Sequence, residues 1–157
     1  MASMRREKAA TGGPVTAAAP SAAIRHIRQR NGRDCGIAAA AMLAGVSYRE
    51  AAAAADPSGR PGDGLRAMEV ARMLRRLTGR LVRVSDAGDG CALAAHVPTA
   101  DPAIVLIHEP GDTRGHFVVV SGGLVYDPER DAPSALESYV HRRWHIADIL
   151  TVEVEAA

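Results

Sequence analysis

The hydrophobic pattern of this chain changes at Gly79, and that change limits the folds that the chain can adopt. Before Gly79 the apolar residues recur at helical spacing, and after it short runs of β-branched residues predominate. Helices followed by strands with tight turns predict an α+β fold with an antiparallel sheet. The 157 residues allow one domain of ordinary size. Leu, Ile, Val and Phe together number only 32, so the core must be small.

Three helices are predicted from capping signals and apolar periodicity. Asp34 is a good N-cap for the first helix, and Gly45 is a good C-terminal stop. Ser47 and Glu50 have the spacing of a capping box that opens the second helix. The predicted helices are Cys35–Ala44, 47–55 and 65–78, with a loop at 58–64.

The second half of the chain predicts short strands. Gly122-Gly123 lies between two β-branched runs, which is a strong signal for a tight hairpin. The segment 133–143 has the length of a last short helix. The predicted strands are 81–84, 103–108, 116–120, 124–126 and 149–154.

Charge excludes two classes of partner. Lys and Arg total 19 and Asp and Glu total 18, so the net charge is +1. A nucleic-acid or membrane-surface binder would need a clear basic excess. The composition, with 31 Ala and 18 Arg against a single Lys, is typical of a GC-rich bacterial genome.

Residues 1–22 are rich in Ala, Gly, Pro and Ser and predict a disordered tail or linker, which leaves 23–157 as the folded domain. The tail lacks the pattern of a signal peptide, and no apolar run approaches the ~20 residues of a membrane span. We therefore expect a cytoplasmic protein by default, with secretion by a non-classical route left open.

Cys35 is the first candidate for chemistry, because it lies at the predicted start of a helix. Unpaired N–H groups and the helix dipole favour a thiolate there, and the thiolate is the nucleophilic form. Gly36 leaves space for a substrate carbonyl to approach. The alternative is a small buried cysteine with a structural role, which is the interpretation that we favour for Cys91. Two cysteines are too few for a disulfide scaffold.

His116 and Asp127 are expected to form a pair. His116 starts one arm of the predicted hairpin, and Asp127 follows the other arm. Because the arms are antiparallel and similar in length, the two residues should meet at the open end of the hairpin. A carboxylate there can accept the imidazole Nδ1–H and hold the ring for proton exchange with a thiol. The alternative is a satisfied core or surface histidine.

Gln29, six residues before Cys35, is the fourth candidate. Its side-chain NH₂ and the backbone N–H of Cys35 could both donate to a developing oxyanion. Asn31 and Gly32 supply the bend that would return Gln29 toward the thiol. Taken alone, a glutamine at this spacing is more often a solvated side chain.

These segments resemble papain-like cysteine peptidases and are especially similar to the peptidase domain of bacteriocin-processing ABC exporters. The resemblance spans about residues 24–154. It rests on Gln29-x₅-Cys35-Gly36 with the apolar helix that follows, on Gly45-Val46-Ser47-Tyr48, on Gly115-His116-Phe117 and on Tyr126-Asp127-Pro128.

The resemblance implies a papain-like α+β fold, with N-terminal helices packed on an antiparallel sheet. It also implies a role for each candidate: Cys35 as nucleophile, His116 as base and acid, Asp127 as the residue that orients His116, and Gln29 as oxyanion donor. Such an enzyme needs no metal and no organic cofactor. Its partner is a peptide or protein substrate, such as a leader peptide.

Two alternatives stay open. The interval between His116 and Asp127 is shorter than in the exporter domains, and no transporter follows the domain, so double-glycine leader specificity is not carried over. A deamidase or acyltransferase effector would share the same triad, because one thioester intermediate serves all of these reactions. A binding module would recognise a peptide without cleaving it.

Other histidines offer weaker sites. His141 and His145 are four residues apart and would bind a metal only on one helix with a third ligand, so a solvated basic end is favoured. His108 with Glu109 or Asp112 is an alternative catalytic pair that ranks below His116.

Overall fold

The computed structural model describes residues 23–55, 64–96 and 101–154. They form three helices packed on a six-stranded antiparallel sheet, which is the α+β architecture that the sequence predicts. The predicted tail at 1–22 and most of the predicted loop at 58–64 lie outside the described residues. The elements are α1 (Cys35–Ala44), α2 (Tyr48–Ala54), α3 (Ala67–Thr78), β1 (Val82–Ser85), β2 (Ala103–His108), β3 (Gly115–Ser121), β4 (Leu124–Tyr126), β5 (Ser134–Ala135) and β6 (His145–Val152).

Helix α1 lies at the centre of the helical layer, where it contacts α2, α3 and the sheet. Its four consecutive alanines, 38–41, are completely buried. Small side chains on every side of a helix let its neighbours approach closely, so an Ala-rich composition suits this position. The helix ends at Gly45, whose φ of 73° is left-handed, as the sequence predicts.

Helix α2 follows after a short turn and begins with the predicted capping box. The Ser47 hydroxyl accepts the backbone N–H of Glu50 at 3.0 Å, and the Glu50 carboxylate accepts the N–H of Ser47 at 3.4 Å. Two N–H groups that would otherwise lack partners at the start of α2 are thereby satisfied.

The sheet has the strand order β1-β6-β2-β3-β4-β5, and every neighbouring pair is antiparallel. The predicted hairpin is present between β3 and β4, with Ser121 paired to Leu124. Both turn residues have positive φ, 59° at Gly122 and 79° at Gly123, a conformation that glycine adopts without steric cost. The turn is therefore as short as a hairpin allows.

The sheet is apolar on both faces, and a separate cluster of side chains covers each face. One cluster joins the helices to the sheet through Ile104, Phe117, Val119 and Leu150. The other lies on the opposite face and includes Val105, Ile107, Val118, Ile149 and the buried ring of Tyr139. The alternation of neighbouring residues between the two clusters follows from the period of two along a strand.

Two predicted elements are wrong in the last third of the chain. The segment 133–143 is not a helix: Ser134–Ala135 pairs with β4, Leu136–Ser138 forms a single 3-10 turn, and the chain then turns Tyr139 inward. The last strand begins at His145 rather than at 149, because His145 already pairs with His108 of β2. Within the described residues, no helix has the length and apolar character needed to cross a membrane.

Two leucines test the packing of this small core. Leu150 is fully buried where β6 pairs with β1 and β2, whereas Leu81 is 56% exposed. We expect Leu150→Ala to lower the free energy of unfolding by about 2–5 kcal/mol, because it leaves a cavity. Leu81→Ala should change it by less than about 0.5 kcal/mol. Urea denaturation measures both values, and equal effects would contradict this assignment of the core.

Candidate active site

Asp127 is a buried carboxylate with three hydrogen-bond donors. Its side chain is 1% exposed, and Oδ1 lies 2.6 Å from Nε2 of His116. Oδ1 also accepts the backbone N–H of Glu129 at 2.8 Å, and Oδ2 accepts the Tyr139 hydroxyl at 2.6 Å. Burial raises the pKa of Asp127, but these bonds and the charge of His116 outweigh burial and lower it to about 2. The carboxylate is therefore ionised at neutral pH.

His116 is nearly as buried as its partner, with 9% of the residue exposed. Burial lowers the pKa of the ring, but the hydrogen bonds and negative charges of Asp127 and Cys35 raise it to about 10. The ring is therefore an imidazolium at neutral pH. It is Nε2 rather than the predicted Nδ1 that meets Asp127, so Nδ1 is the ring nitrogen left for another partner.

The tight hairpin explains why His116 and Asp127 meet. Val119 pairs with Tyr126, so the same register continued outward places Asp127 opposite Val118, one diagonal step from His116. The predicted proximity of the two residues is thus confirmed, and it depends on the two-residue turn. One extra turn residue would move Asp127 to the other face of the sheet.

Cys35 is the first residue of α1, as predicted, and it lies close enough to the His116 ring to raise the pKa of that ring. Gly36 has a different role from the one predicted. A Cβ at this position would lie 3.0 Å from Val70 Cγ2 and 3.3 Å from Phe117 Cδ2, so Gly36 faces the core and not a substrate. Its missing side chain lets α1 pack closely on α3 and β3 and so fixes the position of Cys35.

Asp34 is not the side-chain cap that the sequence predicts. Its carboxylate instead accepts the backbone N–H groups of Arg30 and Asn31, at 2.9 and 3.0 Å, and the hydroxyl of Tyr48. Burial raises the pKa of Asp34, but these three bonds outweigh burial and lower it. Both oxygens are bonded to the preceding loop and to α2, and the side chain makes no hydrogen bond that caps α1.

Gln29 lies in that same loop, and two hydrogen bonds fix it. Its backbone N–H donates to the carbonyl of Pro128 at 2.9 Å, which ties the loop to the segment that carries Asp127. Its side-chain Nε2 donates to the carbonyl of Asn31 at 2.6 Å. An amide NH₂ has two hydrogens, so one stays available to a ligand. The Oε1 atom is buried without a hydrogen-bond partner among the described residues.

The other candidate pairs do not assemble. His108 Nδ1 contacts the carbonyl of Glu109, and Asp112 forms an ion pair with Arg114 instead. His141 stacks on Trp144 with ring centroids 3.8 Å apart, and no helix of the described chain contains both His141 and His145. Cys91 is a free thiol, as is Cys35, and contacts its neighbouring carbonyl at 3.6 Å.

Two residues of the site were missed by sequence reasoning. Tyr139 lies in the segment that the sequence predicts as a helix. A tyrosine twelve residues after Asp127, in a chain with only five aromatic residues, is the signal that could have identified it. Glu129 follows that Asp-Pro pair, and its Oε1 lies 4.0 Å from Nδ1 of His116. The ligand atoms of His116, Asp127 and Glu129 all lie within 4.8 Å of one another, a grouping able to hold a metal ion.

Helices packed on an antiparallel sheet, with a cysteine opening the first helix beside a histidine on a strand, define a papain-like α+β fold. No protein family model matches the chain, and no curated protein is similar to it in sequence. Its fold is similar to the crystal structure of a double glycine motif protease from an AMS/PCAT transporter in complex with the leader peptide. The TM-score is 0.58 at 20% identity, over 83% of this chain and 91% of that one. The resemblance predicted from the motifs is thus confirmed at the level of the fold.

The pH dependence of stability tests the buried carboxylate. The ordinary pKa of Asp127 is 3.8 and its folded value is about 2, so its contribution to stability is present above pH 3.8 and is lost as the pH falls toward 2. The contribution is about 2 kcal/mol by linkage. Urea unfolding between about pH 5 and about pH 2 measures this loss, which Asp127→Asn should abolish.

Asp131→Asn is the matched control, because the Asp131 side chain is 87% exposed. This variant should keep the slope of the wild type. If Asp127→Asn keeps that slope as well, Asp127 is not the group that titrates.

Proposed function

We propose that this protein is a cysteine peptidase that cleaves an amide bond in a peptide substrate through a thioester on Cys35. The observation that carries the proposal is the arrangement of three side chains: the His116 ring lies 2.6 Å from buried Asp127, and Cys35, at the start of α1, is near enough to the ring to raise its pKa. The fold shared with a double glycine motif protease supports the same class of reaction.

Protons and charge are arranged for thiolate chemistry. The pKa of His116 is raised to about 10, so the ring carries a proton at physiological pH. A protonated imidazole beside a cysteine stabilises the nucleophilic form of the sulfur by charge and by hydrogen bonding. In the proposed reaction the Cys35 sulfur bonds to the acyl carbon, and His116 gives its Nδ1 proton to the amine that leaves. His116 then takes a proton from water, and the hydroxide displaces sulfur from the acyl group.

Gln29 is proposed as an oxyanion donor, together with the backbone N–H of Cys35. The carbonyl of Asn31 holds one hydrogen of the Gln29 amide and so orients the other. The first N–H groups of a helix have no partner within that helix, which supports a donor role for the start of α1. Both donors would meet negative charge that develops only in the transition state.

The substrate class comes from the neighbouring fold. The solved protease holds a leader peptide. We propose a peptide of the same leader type for this chain, without assigning the residues before the cleaved bond. The test is mass spectrometry of the full chain after incubation with peptides encoded beside its gene.

The products separate the alternatives. A truncated peptide together with a transient acyl adduct on Cys35 would support a peptidase. A gain of about one dalton on an intact peptide would indicate a deamidase instead. Transfer of the acyl group from Cys35 to an amine would indicate an acyltransferase, because all of these reactions pass through the same thioester. Binding without an adduct or a product would leave a peptide-binding module.

Removing the nucleophile should abolish turnover. We expect Cys35→Ala to lower kcat by a factor on the order of 10⁴ or more, because the covalent step is lost. Cys91→Ser removes the only other thiol and should keep the wild-type kcat. Initial rates of peptide cleavage measure both variants. If the Cys35→Ala variant keeps its activity, the proposed function is wrong.

Removing the oxyanion donor should affect the chemical step more than binding. We expect Gln29→Ala to lower kcat about 10²–10³-fold with little change in KM. The backbone bond from residue 29 to Pro128 is kept in this variant. Arg28→Ala, at an exposed neighbour, is the control and should keep its kcat. A change confined to KM would assign Gln29 to substrate binding instead.

A further inference from the structure

Tyr139 is a buried tyrosine that the proposed peptide cleavage does not use, although its hydroxyl contacts a residue of the triad. The residue is 1% exposed, and its hydroxyl donates to Oδ2 of Asp127 at 2.6 Å. The other carboxylate oxygen, Oδ1, meets His116 and the backbone N–H of Glu129. Among the described residues, Tyr139 is therefore the one donor to Oδ2.

The position of Tyr139 is fixed by contacts other than its bond to Asp127. Its backbone N–H donates to the carbonyl of Leu136 at 3.2 Å, and its own carbonyl accepts the backbone N–H of Arg142 at 3.2 Å and the guanidinium at 3.1 Å. Its ring packs in the apolar cluster on the second face of the sheet and meets the His141 ring edge-on, with centroids 5.6 Å apart. The hydroxyl is thus carried to Asp127 by a ring that is already held in place.

The bond between the two side chains runs in one direction only. Burial and the charge of Asp127 raise the pKa of Tyr139 well above its ordinary value of 10, so the hydroxyl keeps its proton at neutral pH. An ionised carboxylate has only acceptors, so Tyr139 donates and Asp127 accepts. A phenylalanine would fill nearly the same space but would leave Oδ2 buried without a donor, which is unfavourable for a charged group.

We propose that Tyr139 is a positioning residue, which orients His116 through Asp127 by holding the carboxylate oxygen that His116 does not meet. With Oδ2 held, Oδ1 stays in the place where it meets Nε2 of His116. A carboxylate held at one oxygen only would be free to rotate, and the ring would lose a fixed direction for proton transfer. As a contribution to catalysis, this inference rests on the proposed function. As a determinant of the charge of Asp127, it stands without that function.

The alternative is that Tyr139 only fills the apolar cluster, since it is among the largest fully buried side chains. Loss of packing lowers the free energy of unfolding at every pH. Loss of the hydrogen bond also changes the pKa of Asp127, and with it the pH dependence of the free energy of unfolding. Tyr139→Phe separates the two roles, because it removes the hydroxyl and keeps the ring.

The first test is urea unfolding of the full chain between about pH 5 and about pH 2. Asp127 has a pKa of about 2 in the folded chain, against an ordinary value of 3.8, so its stabilising contribution is lost as the pH falls toward 2. Without the Tyr139 donor, the pKa should rise toward 3.8. We therefore expect Tyr139→Phe to lose less stability over this range than the wild type loses. An equal deficit at every pH would overturn the inference.

Tyr126→Phe is the matched control. Tyr126 is 8% exposed and directly precedes Asp127, and its hydroxyl has no hydrogen-bond partner within the part of the chain that the structure describes. This variant should keep the wild-type pH dependence. If both variants flatten the pH dependence equally, the effect does not come from the bond to Oδ2, and the inference is wrong.

The second test measures the reactivity of Cys35 without a substrate. Cys91→Ser in every variant leaves Cys35 as the only thiol, and its alkylation by iodoacetamide is followed against pH. A hydrogen bond to a charged group is worth about tenfold or more in an equilibrium. A less firmly oriented imidazolium stabilises the thiolate less, so we expect Tyr139→Phe to shift the profile to higher pH and to slow alkylation at neutral pH about tenfold.

A double-mutant cycle tests whether Tyr139 acts through Asp127. Asp127→Asn should slow alkylation by itself, and adding Tyr139→Phe should have little further effect, because the charge that Tyr139 stabilises is gone. Equal slowing by Tyr139→Phe in both backgrounds would overturn the inference and assign Tyr139 to packing.

Peptide cleavage separates this inference from the proposed function. We expect Tyr139→Phe to lower kcat about tenfold with little change in KM, as for a group that acts on the chemical step. If the chain cleaves a peptide and Tyr139→Phe changes neither kcat nor the two pH profiles, the function stands and the inference is wrong. If the chain cleaves nothing but Tyr139→Phe shifts both profiles as expected, the positioning of Asp127 is confirmed and the peptidase is rejected.

Discussion

The buried carboxylate of Asp127 is the group on which the geometry of the site depends. A carboxylate that is 1% exposed is costly to ionise unless donors replace its lost water. Asp127 has three such donors, and each comes from a different part of the chain: a ring on β3, the hydroxyl of Tyr139 and a backbone N–H of its own loop. If any one of them moves, a buried charge is left underpaired, so the three segments hold one another in place.

Cys35 is held near His116 by a different set of interactions. Helix α1 is positioned by packing, with completely buried alanines and with Gly36 pressed against Val70 and Phe117. The loop before it is positioned by hydrogen bonds, because Asp34 gathers two backbone N–H groups and the Tyr48 hydroxyl. The bond from Gln29 to the carbonyl of Pro128 then joins this loop to the segment after Asp127. An apolar core and a polar network therefore meet where the thiol faces the imidazolium.

Local signals explain what the sequence could predict. The limits of α1, the capping box and the Gly122-Gly123 hairpin depend on nearby residues, and all three are present. The errors depend on distant contacts. Tyr139 turns inward because a carboxylate twelve residues earlier needs a donor, and β6 begins at His145 because β2 offers it a partner. The sequence predicts open space beside Gly36, but the glycine is needed because Val70 of α3 and Phe117 of β3 pack against it. Both residues are distant from Gly36 in sequence. Which ring nitrogen faces Asp127 also follows only from three-dimensional placement.

The charge on His116 does not depend on the side-chain carboxylate of Glu129. The pKa of His116 is raised by Asp127 and Cys35, both of which the proposed peptide cleavage uses. Glu129 contributes its backbone N–H to Asp127, and any residue other than proline would supply that group. Its side chain is therefore free to serve a different purpose at the same place. Its Oε1 lies 4.0 Å from Nδ1 of His116 and so places an exposed negative charge beside the ring. The turn after β4 therefore contributes to the site twice, through the backbone N–H of Glu129 and through its carboxylate.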